Sequence, residues 1–124
     1  MGVLMTVLVE VVDCMFGKPA AGVSVCLLQQ VGDAWQQVAT VVTDENGLAA
    51  CRPAQPRRGR YRAAVSLDAY FTGLGVEPFQ SLLEVTFRVF QAAEQVRLLV
   101  MVTPSSCCVY GAPTAAASRY EAAS

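Results

Sequence analysis

The sequence predicts an all-β fold, an antiparallel β-sandwich of seven to eight short strands with one short helix. Three observations point there. Apolar, Val-rich runs of four to nine residues recur along the chain, each bounded by Gly, Pro, Asn or Asp turn signals. Only one segment carries helix boundary signals. The length of 124 residues fits a single domain.

The elements follow in order. Residues 4–12 read as the first strand, ended by Asp13. Residues 17–22, with two glycines and a proline, read as a loop. Strands are expected at 23–29 and 35–43, with Gly32-Asp33 turning between them. Asp44-Glu45-Asn46-Gly47 is a strong turn, because Asn and Gly tolerate positive φ. A short strand follows at 48–51, then a two-proline loop at 52–59 and a strand at 60–66. Asp68 is expected to cap a helix over 69–74 that Gly75 ends, and Gly73 weakens that helix so that it needs tertiary support. Strands at 82–90 and 96–103 are split by residues 91–94, and Pro104 stops the second. Residues 107–110 form a last short strand. The domain is expected over residues 1–113. Residues 114–124, Ala/Ser-rich with no apolar period, are expected to be a flexible C-terminal tail.

Composition removes several function classes. The chain has no histidine, the usual general base near neutrality and a common metal ligand. Chemistry therefore falls to carboxylates, Arg, Tyr, Ser/Thr or Cys. No metal and no cofactor is expected, since C-x-x-C is absent as well. A net charge of −1 argues against a nucleic-acid partner; the basic run Arg57, Arg58, Arg60 and Arg62 reads as a solvated turn and strand edge. Five cysteines without framework spacing read as free thiols in a reducing, cytoplasmic setting, and the adjacent Cys107 and Cys108 point to opposite faces of a strand. No stretch is long enough to span a membrane, no partner membrane is expected, and residues 3–9 lack the basic flank of a signal peptide. Residues 1–6 fit the loose myristoylation pattern but read equally as strand. The 54% hydrophobic content is high for so small a domain, so part of the apolar surface is expected in a subunit interface.

An ordered set of residues carries a family resemblance. Val9-Glu10-Val11-Val12-Asp13 followed by Gly17-Lys18-Pro19-Ala20, and Trp35 followed by Thr43-Asp44-Glu45-Asn46-Gly47, resemble the transthyretin and 5-hydroxyisourate hydrolase family. So do Tyr61-Arg62, Asp68-Ala69-Tyr70-Phe71, Gly75-Val76-Glu77-Pro78-Phe79, residues 84–89 and residues 98–104, colinear over about 4–113. The resemblance implies a transthyretin-like sandwich and a homotetramer, a dimer of dimers, with a small-molecule channel. The hydrolase members use a His in the first strand, an Arg after the Asp-Gly turn, a His in the penultimate strand and a terminal Tyr-Arg-Gly-Ser. Here those positions read Glu10, Leu48, Arg97 and Tyr110-Gly111-Ala112-Pro113, which argues against ordinary 5-hydroxyisourate hydrolysis. Transthyretin carries Lys and Thr where this chain has Glu10 and Arg97, which leaves hormone transport unsupported too.

Period two puts Leu8, Glu10 and Val12 on one face of the first strand, Arg97, Leu99 and Met101 on one face of the penultimate strand, and Cys108 and Tyr110 on one face of the last. The resemblance implies that these faces share a channel, with Val12, Leu48, Leu99 and Met101 as substrate-binding wall. Glu10 interrupts an apolar strand, so a partner cation is expected, and Arg97 supplies one. As catalytic candidates, Glu10 is the acid or base and Arg97 stabilises developing negative charge on a carbonyl oxygen. Tyr110 donates a proton or orients substrate, and Cys108 is a nucleophile whose thiolate a nearby Arg favours. Each also has a plain structural reading. Glu10 and Arg97 make an ion pair, Cys108 is a small hydrophobe, and Leu99 and Met101 pack an interface. Trp35, Tyr70 and Phe71 pack against the sandwich, and Cys14, Cys26 and Cys51 carry no argument for chemistry. Three functions are compatible with these residues: a repurposed enzyme acting on a small carbonyl or heterocyclic substrate, set in specialised metabolism; a non-catalytic ligand-binding tetramer; and a scaffold without ligand.

Overall fold

The computed structural model describes residues 5–92 and 95–113. The myristoylation pattern, the C-terminal tail and part of the 91–94 break lie outside these residues or extend beyond them. Among the described residues, nine strands and one helix follow in order: β1 Thr6–Asp13, β2 Lys18–Pro19, β3 Ser24–Val31, β4 Ala34–Val42, β5 Leu48–Cys51, β6 Gly59–Ser66, α1 Asp68–Gly73, β7 Leu82–Val89, β8 Gln95–Val102 and β9 Cys107–Pro113. They form two sheets. One runs β2-β1-β8-β9 with β5 also paired to β1, and the other runs β4-β3-β6-β7. No described helix is long and apolar enough to cross a membrane.

Alternation decides which side chains fill the space between the sheets. In β1 every second residue is buried, Val7, Val9 and Val11 among them; in β8 it is Val96, Leu98, Val100 and Val102. Val25 and Leu27 of β3, Tyr61, Ala63 and Val65 of β6, and Phe71 of α1 meet them from the other side. Each such side chain contributes about 1.5–3 kcal/mol of burial for the larger aliphatics and Phe. A one-residue slip in β1 would turn Glu10 inward and Val9 outward, so the hydrophobic pattern sets the register. Tyr61 is wholly buried, and its hydroxyl donates to the Arg57 carbonyl (2.7 Å) and accepts from Gln29 Nε2 (3.0 Å).

Four expectations are corrected. The sandwich is not antiparallel throughout, because β1 pairs with β8 in parallel, from Thr6 opposite Gln95 to Asp13 opposite Val102. The 17–22 loop contains the two-residue strand β2, which pairs with Val12 and Asp13. The last strand runs to Pro113 rather than residue 110, because β9 pairs along β8 as far as Val96. Its proline sits at the end of an edge strand, where a missing N–H is tolerated. Asp68 does not cap α1. The N-cap is Leu67, without a side-chain cap bond, and Asp68 lies in the first turn. The Ser81 carbonyl instead accepts from the amides of Leu67 (2.9 Å) and Asp68 (3.2 Å), so the helix start is held by a neighbouring loop. Gly75, at φ 79°, follows the helix end as expected.

Candidate functional site

The outward face of the first sheet is a grid. One row crosses four strands, with Leu48 of β5 opposite Glu10 of β1, Glu10 opposite Leu99 of β8, and Leu99 opposite Tyr110 of β9. A second row holds Val12, Met101 and Cys108. A third holds Ala50, Leu8, Arg97 and Ala112. Parallel pairing keeps the parity that alternation predicts, so all eight candidate residues belong to this face. Glu10, Arg97, Leu99 and Tyr110 also line one depression of about 230 Å³.

Glu10 and Arg97 form an ion pair, Arg97 Nη2 to Glu10 Oε1 at 3.6 Å. The two residues are one row apart, and the long guanidinium arm closes the diagonal between adjacent strands. Their side chains remain 36% and 67% exposed for Glu10 and Arg97, so water screens the pair in the single protomer. Tyr110 is 69% exposed and lines the same depression. The arrangement couples an acceptor carboxylate, a planar cationic fork and a phenol against apolar walls. Such a set can move a proton and stabilise an oxyanion once water is excluded.

Cys108 stands apart from the charge pair. It faces Met101, four residues along β8 from Arg97, which is about 13 Å of strand. Within one protomer the guanidinium therefore does not sit beside this thiol, and the expected help to a Cys108 thiolate lacks a geometric basis there. All five cysteines are free, with Cys14, Cys107 and Cys108 exposed. Burial, with a smaller contribution from Cys26, pushes the Cys51 thiol up to about 11.

Two local devices hold the face in place. The Asp44 carboxylate accepts from the amides of Asn46 (2.8 Å) and Leu48 (3.0 Å), closing the turn that delivers Leu48. Gly47 adopts φ 77° against β1, where its carbonyl accepts from the Val11 amide at 2.8 Å. A side chain there would place its Cβ 2.5 Å from the Val11 carbonyl oxygen, so only glycine fits. Two residues further along β1, Asp13 is wholly buried; its carboxylate accepts from the amides of Met15 (2.9 Å) and Phe16 (3.0 Å) and from the Tyr70 hydroxyl (2.7 Å). Burial, the hydrogen bond to Asp13 and the charge of Asp13 all raise the Tyr70 phenol. Sequence reasoning missed this anchor and took Asp13 only as a strand end. The available signal was a carboxylate on the buried parity of an apolar strand, with Tyr70 at the start of the helix. Trp35 lies on the edge strand β4, with the Arg62 guanidinium 4.2 Å from its ring centre.

The HIUase/Transthyretin family model matches residues 7–111. The chain belongs to this family. Among solved structures, transthyretin from Sparus aurata superposes with a TM-score of 0.81 at 28% identity, covering 87% of this chain and 97% of that one. The 5-hydroxyisourate hydrolase of Klebsiella pneumoniae gives 0.75 at 26% identity, covering 87% and 98%. An (S)-allantoin synthase shares the fold, with a TM-score of 0.77 at 18% identity over 88% of this chain and 44% of that chain. The transthyretin-like sandwich expected from the residue pattern is the fold observed.

Proposed function

We propose that this member of the HIUase/transthyretin family is a divergent, cofactor-independent enzyme acting on a small carbonyl or heterocyclic substrate at the outward face of its first sheet. Further copies of the chain close that face in a homotetramer. Glu10 serves as general base or acid. Arg97 neutralises negative charge that develops on a carbonyl oxygen, and Tyr110 donates a proton or orients the substrate. Val12, Leu48, Leu99 and Met101 supply the walls, and Cys108 extends the lining beyond Met101. Ring opening by water, or addition, cyclisation or isomerisation at a carbonyl, all use this acid–base set. The observation that carries the reading is the Glu10–Arg97 pair, turned outward on a face otherwise built largely of aliphatic side chains. A buried structural pair would lie on the opposite parity.

A second reading is ligand binding without turnover. A sea bream transthyretin solved in complex with thyroxine superposes with a TM-score of 0.80 at 28% identity. The row of Val12 and Met101, with Leu99 beside it, offers an apolar ligand a hydrophobic wall.

The test incubates the full chain with 5-hydroxyisourate and with a panel of small cyclic carbonyl compounds, reading products by mass spectrometry and assembly by light scattering. Turnover in the wild type that Glu10→Gln and Arg97→Ala each reduce at least about a hundredfold, with assembly intact, supports the enzyme reading. Saturable uptake without product, blocked by Met101→Trp, supports the binding reading. Undiminished turnover in both charge variants overturns the residue assignment, and unchanged affinity in Met101→Trp removes the proposed face as the binding site.

A further inference from the structure

We propose that the outer face of the second sheet carries an oxyanion site, built by Arg60 of β6 and Arg88 of β7, that takes the phosphate group of a small organic phosphate monoester. The site lies on the opposite layer of the sandwich from Glu10 and Arg97 and does not depend on their role. Arg60 and Arg88 are directly opposite each other across antiparallel strands, and both side chains are exposed. Like charges in that register work against the sheet, by up to about 1 kcal/mol. Among the described residues, no carboxylate comes within ion-pair distance of either guanidinium. Glu84 shares this face of β7 but sits four positions from Arg88, about 13 Å along the strand.

The next pair along the two strands adds donors and rigidity. Arg62 faces Thr86, its Nε donates to Thr86 Oγ1 at 3.2 Å, and its guanidinium lies over the Trp35 ring. Thr86 accepts in that bond, which leaves its hydroxyl hydrogen to donate. A shallow surface depression of about 250 Å³ is lined by Arg60, Thr86, Phe87, Arg88 and Phe90. Phe90 is half exposed at this site and offers an apolar surface beside the two cations.

These features select the ligand. A phosphate monoester carries close to two negative charges and three terminal oxygens, so one group can meet both guanidinium forks. A monocarboxylate satisfies one fork and leaves the other repelled. The ester body then has the Phe90 ring to lie against.

Phenyl phosphate, inorganic phosphate and benzoate are titrated into the full chain at constant ionic strength, by calorimetry and by ³¹P line broadening. Phenyl phosphate is expected to bind at least about tenfold tighter than benzoate, and Arg60→Gln and Arg88→Gln each to weaken it about tenfold or more. Arg58→Gln makes the same charge change in the neighbouring loop and is expected to leave the affinity within twofold or so. Without ligand, Arg88→Gln is expected to melt no lower than the wild type, since a repulsion is removed. Equal weakening by Arg58→Gln, equal affinity in wild type and the Arg60/Arg88 double variant, or a lower melting point for unliganded Arg88→Gln would each overturn the site.

Discussion

The Glu10–Arg97 pair separates a functional from a structural role by its own energetics. At 3.6 Å, two unit charges attract by about 1 kcal/mol in bulk water and by several times that once water is excluded. Side-chain exposures of 36% for Glu10 and 67% for Arg97 place the pair near the watery limit, where measured pairs are worth roughly 0.2–1 kcal/mol. Glu10→Gln, Arg97→Gln and the double variant are therefore expected to cost less than about 1 kcal/mol each, with a coupling energy below about 1 kcal/mol. The assay is urea denaturation at a dilution where light scattering shows single protomers, repeated in about 1 M salt, where a screening length of about 3 Å shrinks the coupling further. Turnover or ligand affinity in the same variants is expected to fall far more than stability does. Single-variant losses of roughly 3–5 kcal/mol in the dilute protomer would refute the reasoning, because that is the cost of orphaning a buried charge in a structural link. If the proposed tetramer forms through this face, the coupling is expected to rise there, as neighbouring copies displace water.

Three further outcomes follow from the surrounding structure. Tyr70→Phe removes one of three donors from the buried Asp13 carboxylate and is expected to cost about 1–3 kcal/mol near neutral pH. The Tyr70 phenol is raised above the ordinary tyrosine value of 10.0, so at alkaline pH the folded chain holds a proton that the unfolded chain releases. Its contribution is complete below about pH 10 and lost above it, and Tyr70→Phe removes that part of the alkaline slope in urea midpoints while Cys51 and Tyr61, raised chiefly by burial, keep theirs. An unchanged alkaline slope would count against the Tyr70–Asp13 bond. Gly47→Ala is expected to cost about 2–4 kcal/mol from its left-handed φ and its clash with the Val11 carbonyl, whereas Gly32→Ala, at a similar φ of 62° in open space, costs about 1 kcal/mol; equal losses in thermal melts would refute the contact argument. With a disulfide thiol reagent at mildly alkaline pH, Cys14, Cys107 and Cys108 are expected to react quickly and Cys51 only on unfolding; early reaction of Cys51 would contradict its burial.

How much was legible in the sequence depends on whether the signal was local. Alternation along β1 and β8 is local: it grouped Glu10 with Val12 on one strand and Arg97 with Leu99 and Met101 on the other, while the family resemblance supplied that the two groups share a face. The Asp44–Gly47 turn was legible for the same reason, since Gly47 takes the positive φ it advertises, while Asn46 keeps a negative φ and donates its amide to the Asp44 carboxylate. Pairing direction is not local. Nothing in residues 6–13 says that they run parallel to residues 95–102, and the β1–β8 partnership spans most of the chain. The start of α1 was misread because its orphan amides are met by Ser81, thirteen residues beyond Asp68, whereas a capping argument looks only at the nearest side chain. Arg88 escaped notice as a member of the basic cluster because it lies far in sequence from Arg60, and only strand pairing brings them together.

The two outward faces make opposite physical demands. On the first sheet, parallel pairing sets Glu10 opposite Leu99 and Arg97 opposite Leu8, so the charges meet on a diagonal and neutralise each other among aliphatic neighbours. Neutral and largely apolar, that face gains by losing water, which is what stacking against another copy or enclosing a small substrate provides. On the second sheet, Arg60 and Arg88 repel in the closest cross-strand position. A cover that expels water there without supplying negative charge would raise the repulsion, since lower dielectric strengthens it. The proposed assembly through the first face would leave the second open, and an anionic ligand is then the chemistry that relieves the repulsion. The sandwich thus keeps the Glu10–Arg97 ion pair and the Arg60/Arg88 cation pair on separate layers, with the buried Val-rich core between them.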